Sequence, residues 1–162
     1  MKKEDEFFST NPEKATSRVA INGVMLASIF VMLAVIFLDY EKFNFLATAQ
    51  MVLSIPFLFV SSLAYSKIGY WKETRLWDSL GYFTTTFGNY LMINAMGLVA
   101  AGISYPLAYS YFGLTIILLL TYSSINIYQT KLVKKQLFKF LFATAIIFLG
   151  GILPLIVLGV NN

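Results

Sequence analysis

An all-α, polytopic transmembrane helix bundle with five spans is the fold class this sequence predicts, and three observations predict it. Of 162 residues, 58% are hydrophobic and only 12% are charged. A water-soluble domain carries roughly 25% charged residues. The charged residues are also not dispersed: they sit between uncharged runs long enough to cross a bilayer. Finally, the Lys and Arg counts of successive inter-span segments alternate high and low.

The N-terminal tail, residues 1–18, is charged and mixed in sign, with Lys2, Lys3, Lys14 and Arg18 against Glu4, Asp5, Glu6 and Glu13. No small-residue cleavage site closes the apolar run that follows, so a secretory signal is not expected. Asn11-Pro12-Glu13 reads as a helix start. Asn caps free N–H groups, Pro suits the first helical position, and Glu complements the positive end of the dipole. Between Arg18 and Asp39 stand 20 uncharged residues, which predict a span at 19–39. Between Lys42 and Lys67 stand 24 more, which predict a span at 43–66.

From Asp78 to Lys131 the chain has 52 uncharged residues. As one helix they would measure about 78 Å at 1.5 Å per residue, more than any bilayer. The run must therefore turn back, and Gly102-Ile103-Ser104-Tyr105-Pro106 is the place, since Gly ends helices and Pro begins them. This gives spans at 79–103 and 106–128. A last uncharged stretch gives a span at 139–159.

Lys plus Arg then counts four in the tail, one in the first loop (Lys42) and three in the second (Lys67, Lys72, Arg75). The third loop has none, the fourth has four (Lys131, Lys134, Lys135, Lys139), and the end of the chain has none. The positive-inside rule places the N-terminus in the cytoplasm and the C-terminus outside. Tyr40, Tyr65, Trp71, Trp77, Tyr105 and Tyr128 fall near span ends, as an aromatic belt should. The stretch 67–78 is expected to lie along the membrane surface, anchored by Trp and Tyr. One transmembrane domain, residues 1–162, accounts for the chain.

The sequence has neither Cys nor His. Disulfides, Cys/His metal sites, Cys nucleophiles and His bases are thereby excluded. No catalytic, cofactor-binding or metal-ligating residues are expected, and catalysis is disfavoured. Nucleic acid is not an expected partner, because no basic face carries interleaved aromatic residues. With no Asp, Glu, Lys or Arg inside a predicted span beyond the end residues Asp39 and Lys139, proton or sodium coupling is disfavoured as well. Glu73 and Asp78 read as surface ion-pair or helix-cap residues.

Polarity concentrates in the third and fourth spans. Thr85, Thr86, Asn89 and Asn94 on one, and Tyr111, Thr115, Tyr122 and Asn126 on the other, form rows at helical spacing. They are the candidate polar path or ligand site. Gly81, Thr84, Gly88, Ala95 and Gly102 form a stripe of small residues, a seam for close helix packing. Gly23 and Ala27 in the first span carry the same small-residue spacing. Gly150, Gly151 and Pro154 predict a kink or a close crossing in the last span. Lys131, Lys134, Lys135 and Lys139 are read as one basic helical face, a possible site for anionic lipid headgroups.

The expected function is that of a small multi-pass membrane protein without catalytic chemistry. A pore, a carrier, or a membrane subunit of a homo-oligomer or larger complex fits that description. The alternative is an intramembrane enzyme or lipid-binding protein for an apolar substrate, using the Thr, Asn and Tyr rows of spans three and four.

Overall fold

The structure is a computed structural model that describes residues 12–68, 70 and 75–160. It is all-helical there. Helices α1 (Pro12–Leu38), α2 (Phe45–Lys67), α3 (Arg75–Ile103) and α4 (Tyr105–Thr130) follow in order. Helix α5 (Val133–Ile147) passes through a wide π turn (Phe148–Ile152) into α6 (Leu153–Val160). Among the described residues, five helical stretches are long and apolar enough to cross a membrane, with α5 to α6 counting as one.

Helix ends follow local chemistry. Helix α1 starts at Pro12, while the expected cap Asn11 lies outside the described residues. A short 3₁₀ turn, Tyr40–Lys42, leads to α2, whose first turn is capped by Asn44: its Oδ1 accepts from the Leu46 amide at 2.7 Å. The turn between α3 and α4 falls at the predicted place. Ser104 is extended, its hydroxyl accepts from the Leu107 amide at 3.2 Å, and Pro106 stands in the first helical turn. Helix α4 ends on Lys131 in the left-handed conformation (φ 56°), whose amide donates to Ile127 O at 2.9 Å.

Helix α1 begins at the expected Pro12, while α3 and α5 begin earlier than the uncharged runs suggest. Helix α1 takes in Arg18, α3 takes in Asp78, and α5 starts at Val133 rather than near 139. Arg18, Asp78 and Lys139, which bound apolar runs, therefore belong to the helices, whereas Asp39 and Lys131 lie just beyond helix ends. Of the stretch 67–78, Arg75–Asp78 are helical rather than surface-lying, and residues 69 and 71–74 lie outside the described residues.

The chain packs as two compact units. The first comprises the chain to Asp39 together with Ala49–Met92, so it contains α1, most of α2 and the first part of α3. Its core includes Ile29, Leu33 and Ile36 of α1 and Met51, Leu58 and Tyr65 of α2, all buried. The second comprises Tyr40–Thr48 and the chain from Ile93 onward. Its centre is Phe112 of α4. A Cβ at Gly97 would stand 2.2 Å from that ring and one at Gly151 2.5 Å, so two glycines make room for one phenylalanine.

The predicted kink in the last span is the π turn. Its widened register shows in the Leu153 amide, which bonds to Phe148 O, five residues back. Pro154 follows immediately, where its ring would clash with the carbonyl four residues before it in a regular helix.

Candidate functional site

Within the first unit, three helices contribute polar side chains at helical spacing, and these meet in two layers. Arg18 and Asn22 stand four apart on α1. Ser61 and Tyr65 stand four apart on α2. Asp78, Gly81 and Thr85 share one face of α3 at spacings of three and four.

In the outer layer, Arg18 Nη1 donates to Tyr65 Oη at 2.7 Å and lies 3.3 Å from Asp78 Oδ1. The Arg18 side chain is 36% exposed and that of Asp78 only 5%. Tyr65 is buried, with Ala15, Ile68, Val19 and Trp77 packed around it. Gly81 admits the ring: a Cβ there would stand 2.9 Å from Tyr65 Cε1 and Cζ.

In the inner layer, Asn22 Nδ2 donates to Ser61 Oγ at 2.9 Å and to Thr85 Oγ1 at 3.5 Å. The Ser61 hydroxyl donates to Gly81 O at 3.0 Å and touches the Thr85 hydroxyl. Tyr65 and Ser61, one turn apart on α2, join the two layers. Asn22 Oδ1 is buried and accepts no hydrogen bond among the described residues. Below the ladder the packing turns apolar. Gly88 lies against Leu58 and Phe57, and Phe57 stacks on Phe87 with ring centres 6.0 Å apart.

The layers also fix directions. Going inward runs Arg18 to Asn22 on α1, Tyr65 to Ser61 on α2 and Asp78 to Thr85 on α3. Helix α2 therefore lies antiparallel to α1 and α3.

Asp78 thus departs from its expected surface role, since it is buried against Arg18. Arg18 and Asp78 belong to the helices Pro12–Leu38 and Arg75–Ile103 but stand one residue outside the predicted spans 19–39 and 79–103. Tyr65, expected in an aromatic belt, is a core residue. Tyr40 and Tyr128 are well exposed at helix ends, Tyr105 is half-buried, Trp77 packs in the cluster around Tyr65, and Trp71 lies outside the described residues.

The residues of the candidate polar path are placed differently from one another. Thr85 joins the ladder. Thr86 Oγ1 donates to Tyr82 O of its own helix at 2.7 Å. Asn89 is half-buried, and its Oδ1 is buried without a hydrogen bond among the described residues. Asn94 is buried and reaches α5, where its Nδ2 donates to Ile146 O at 3.2 Å. On α4, Thr115 donates to Tyr111 O and Asn126 Nδ2 to Tyr122 O, so both serve their own helix, and Tyr122 is exposed.

Of the small-residue stripe, Gly81 and Gly88 face α2, Thr84 donates to Leu80 O, and Ala95 is fully buried. Gly102 adjoins the turn before α2, where a Cβ would stand 2.8 Å from Lys42 O. Gly23 and Ala27 are exposed, and nothing lies within 4 Å of a Cβ at Gly23, so this pair packs on no other helix of the described chain. Lys131 sits in the αL cap before α5, so the four lysines do not share one helical face. Lys134, Lys135 and Lys139 are on α5.

Arg18, Asn22, Ser61, Tyr65 and Asp78 escape a search for clustered polarity, because each helix supplies only one or two of them. Their signal is the four-residue spacing on α1 and α2. Among the described residues, no group of three or more Asp or Glu side chains is placed to hold a metal ion. Compared with known proteins, the chain matches no family model, no curated protein and no solved structure.

Proposed function

We propose that the chain is a multi-pass membrane protein without catalytic chemistry of its own, acting as the membrane-embedded subunit of an oligomer or a larger complex. The observation that carries this reading is the ladder of the first unit. Arg18, Asn22, Ser61, Tyr65, Asp78 and Thr85 are turned on one another, so they hold three helices together rather than line an open path. Hydrogen bonds of this kind replace the hydrophobic drive that helices lack against lipid. The outward-facing Gly23 and Ala27 offer a face on which a neighbouring helix approaches closely.

The N-terminus lies in the cytoplasm and the C-terminus outside in this reading. The alternation of basic residues supports it, as does the antiparallel ladder, which sets Lys14, Lys67 and Arg75 at one end of the first unit. Lys131, Lys134, Lys135 and Lys139 then face the cytoplasmic leaflet, where anionic headgroups add about 1 kcal/mol per basic residue.

Because the chain has no Cys, Gly23→Cys is a single probe. In native membranes it is expected to give a disulfide-linked dimer or a mixed disulfide with a partner, whereas Ile21→Cys, exposed on the opposite side of α1, gives neither. Liposomes holding the pure chain are expected to leak small solutes no faster than empty ones. Specific solute flux from the isolated chain, with no cross-link at residue 23, overturns the reading.

A further inference from the structure

The last span is interrupted by the π turn at Phe148–Ile152, and the residues that pack around this turn belong to the second unit. A π turn takes up one residue more than an α turn, so the helix beyond it lags in rotation by about one residue. Proline alone does not demand such a turn in this chain, because α2 carries Pro56 inside an uninterrupted helix. Two features leave the register after the turn weakly fixed. Gly150 and Gly151 stand side by side within it. Beyond it, α6 reads Leu-Pro-Leu-Ile-Val-Leu-Gly-Val, with no polar residue to decide which side faces inward.

Gly151 is seated against Phe112 of α4, where a Cβ would stand 2.5 Å from the ring. Leu155, four residues on, is fully buried. If the turn tightened to α, each residue beyond it would advance by about 100° and take the seat of its successor. Gly150 would then meet the Phe112 ring, again without a Cβ. Pro154 would take the seat of Leu155, again apolar. Asn94 holds the π register, since its Nδ2 donates at 3.2 Å to Ile146 O just before the turn. Its Oδ1, buried beside Gly151, accepts no hydrogen bond among the described residues, so this register leaves one buried acceptor unmatched.

We infer that the π turn is a register switch. The last span has two registers, π and α, and α6 rotates between them as one piece while α5 stays in place. The paired glycines keep the Phe112 seat open in both, and the all-apolar α6 fills the inward side in both. These are the conditions for two discrete packings of similar free energy. The rotation changes which side chains the C-terminal part of the span presents to lipid or to a neighbour, and it does not depend on the subunit reading above.

The chain has no Cys, so Leu118→Cys on α4 and Ile156→Cys on α6, both exposed, carry a unique pair of spin labels. With the full chain in nanodiscs, pulsed electron paramagnetic resonance is expected to show two label-to-label distances. Pro154→Ala restores an N–H and removes the ring clash that opposes an α turn, so it is expected to raise the second population roughly tenfold or more. Gly151→Ala is expected to act in the same direction, because its methyl meets Phe112 in the π register. Gly150→Ala is expected to act the other way and to cancel the gain when added to Pro154→Ala. A single distance in the labelled chain without further substitution overturns the inference, and so does a second distance that Gly150→Ala leaves in place.

Discussion

Arg18 and Asp78 illustrate how unequal the two halves of an ion pair are when one is better hidden than the other. The Arg18 side chain is 36% exposed and that of Asp78 5%. Arg18→Met strands a buried carboxylate, and breaking a buried pair from this side costs about 3 kcal/mol. Asp78→Asn leaves the guanidinium on a long stem that can turn toward the aqueous edge and keep its bond to Tyr65, so its cost falls to about 1 kcal/mol. Thermal unfolding in detergent reads both, and a larger loss for Asp78→Asn would contradict this burial order. Glycines divide in the same way. Gly81→Ala drives a methyl to 2.9 Å from the Tyr65 ring and is expected to destabilise by about 1–3 kcal/mol. Gly23→Ala meets nothing within 4 Å and is expected to gain about 0.5–1 kcal/mol in its monomeric helix. Equal melting temperatures for these two variants would remove Gly81 as a close-contact position.

At the scale of elements, uncharged runs locate helices well and locate helix ends poorly. A helix continues past a charge when that charge finds a partner on another helix, and Arg18 and Asp78 do so across 60 residues of sequence. Composition along one segment does not show such a partner, which is why the spans were legible and the ladder was not. The polar rows of the third and fourth spans are crowded along single helices, yet Thr86, Thr115 and Asn126 bond to their own helices. By contrast, Gly150-Gly151-Pro154 announced a break that the π turn realises, because Gly and Pro act on the backbone locally. That turn holds Gly151 against Phe112. Gly151→Ala is expected to cost about 1–3 kcal/mol by overpacking. Adding Phe112→Leu is expected to recover part of that loss, which a double-mutant cycle in thermal unfolding measures as coupling; strict additivity would mean that the two residues do not share the contact. At the other end of α4, Lys131→Gly relieves a left-handed non-glycine residue and is expected to stabilise by about 1 kcal/mol in the same assay.

For the whole molecule, the decisive quantity is which helix ends share a side of the membrane. The ladder ties the Arg18 end of α1 to the Tyr65 end of α2 and the Asp78 end of α3. Those ends carry Lys14, Lys67 and Arg75, so packing and the basic-residue count agree within the first unit, although neither depends on the other. The absence of Cys from the sequence makes the orientation directly measurable, because any introduced Cys is the sole label. Lys14→Cys and Lys134→Cys are expected to react with a membrane-impermeant maleimide only after the cells are opened. Lys42→Cys and Ile103→Cys, at exposed positions of the opposite turns, are expected to react in intact cells. If Lys14→Cys and Lys42→Cys label from the same side, α1 does not cross the bilayer. The ladder would then have to form outside it, where water competes for every one of its hydrogen bonds and each is worth about 1 kcal/mol. If instead the two pairs exchange sides while keeping the alternation, the five crossings stand and only the direction is inverted, which would move the lysines before α5 away from the cytoplasmic leaflet and its anionic headgroups.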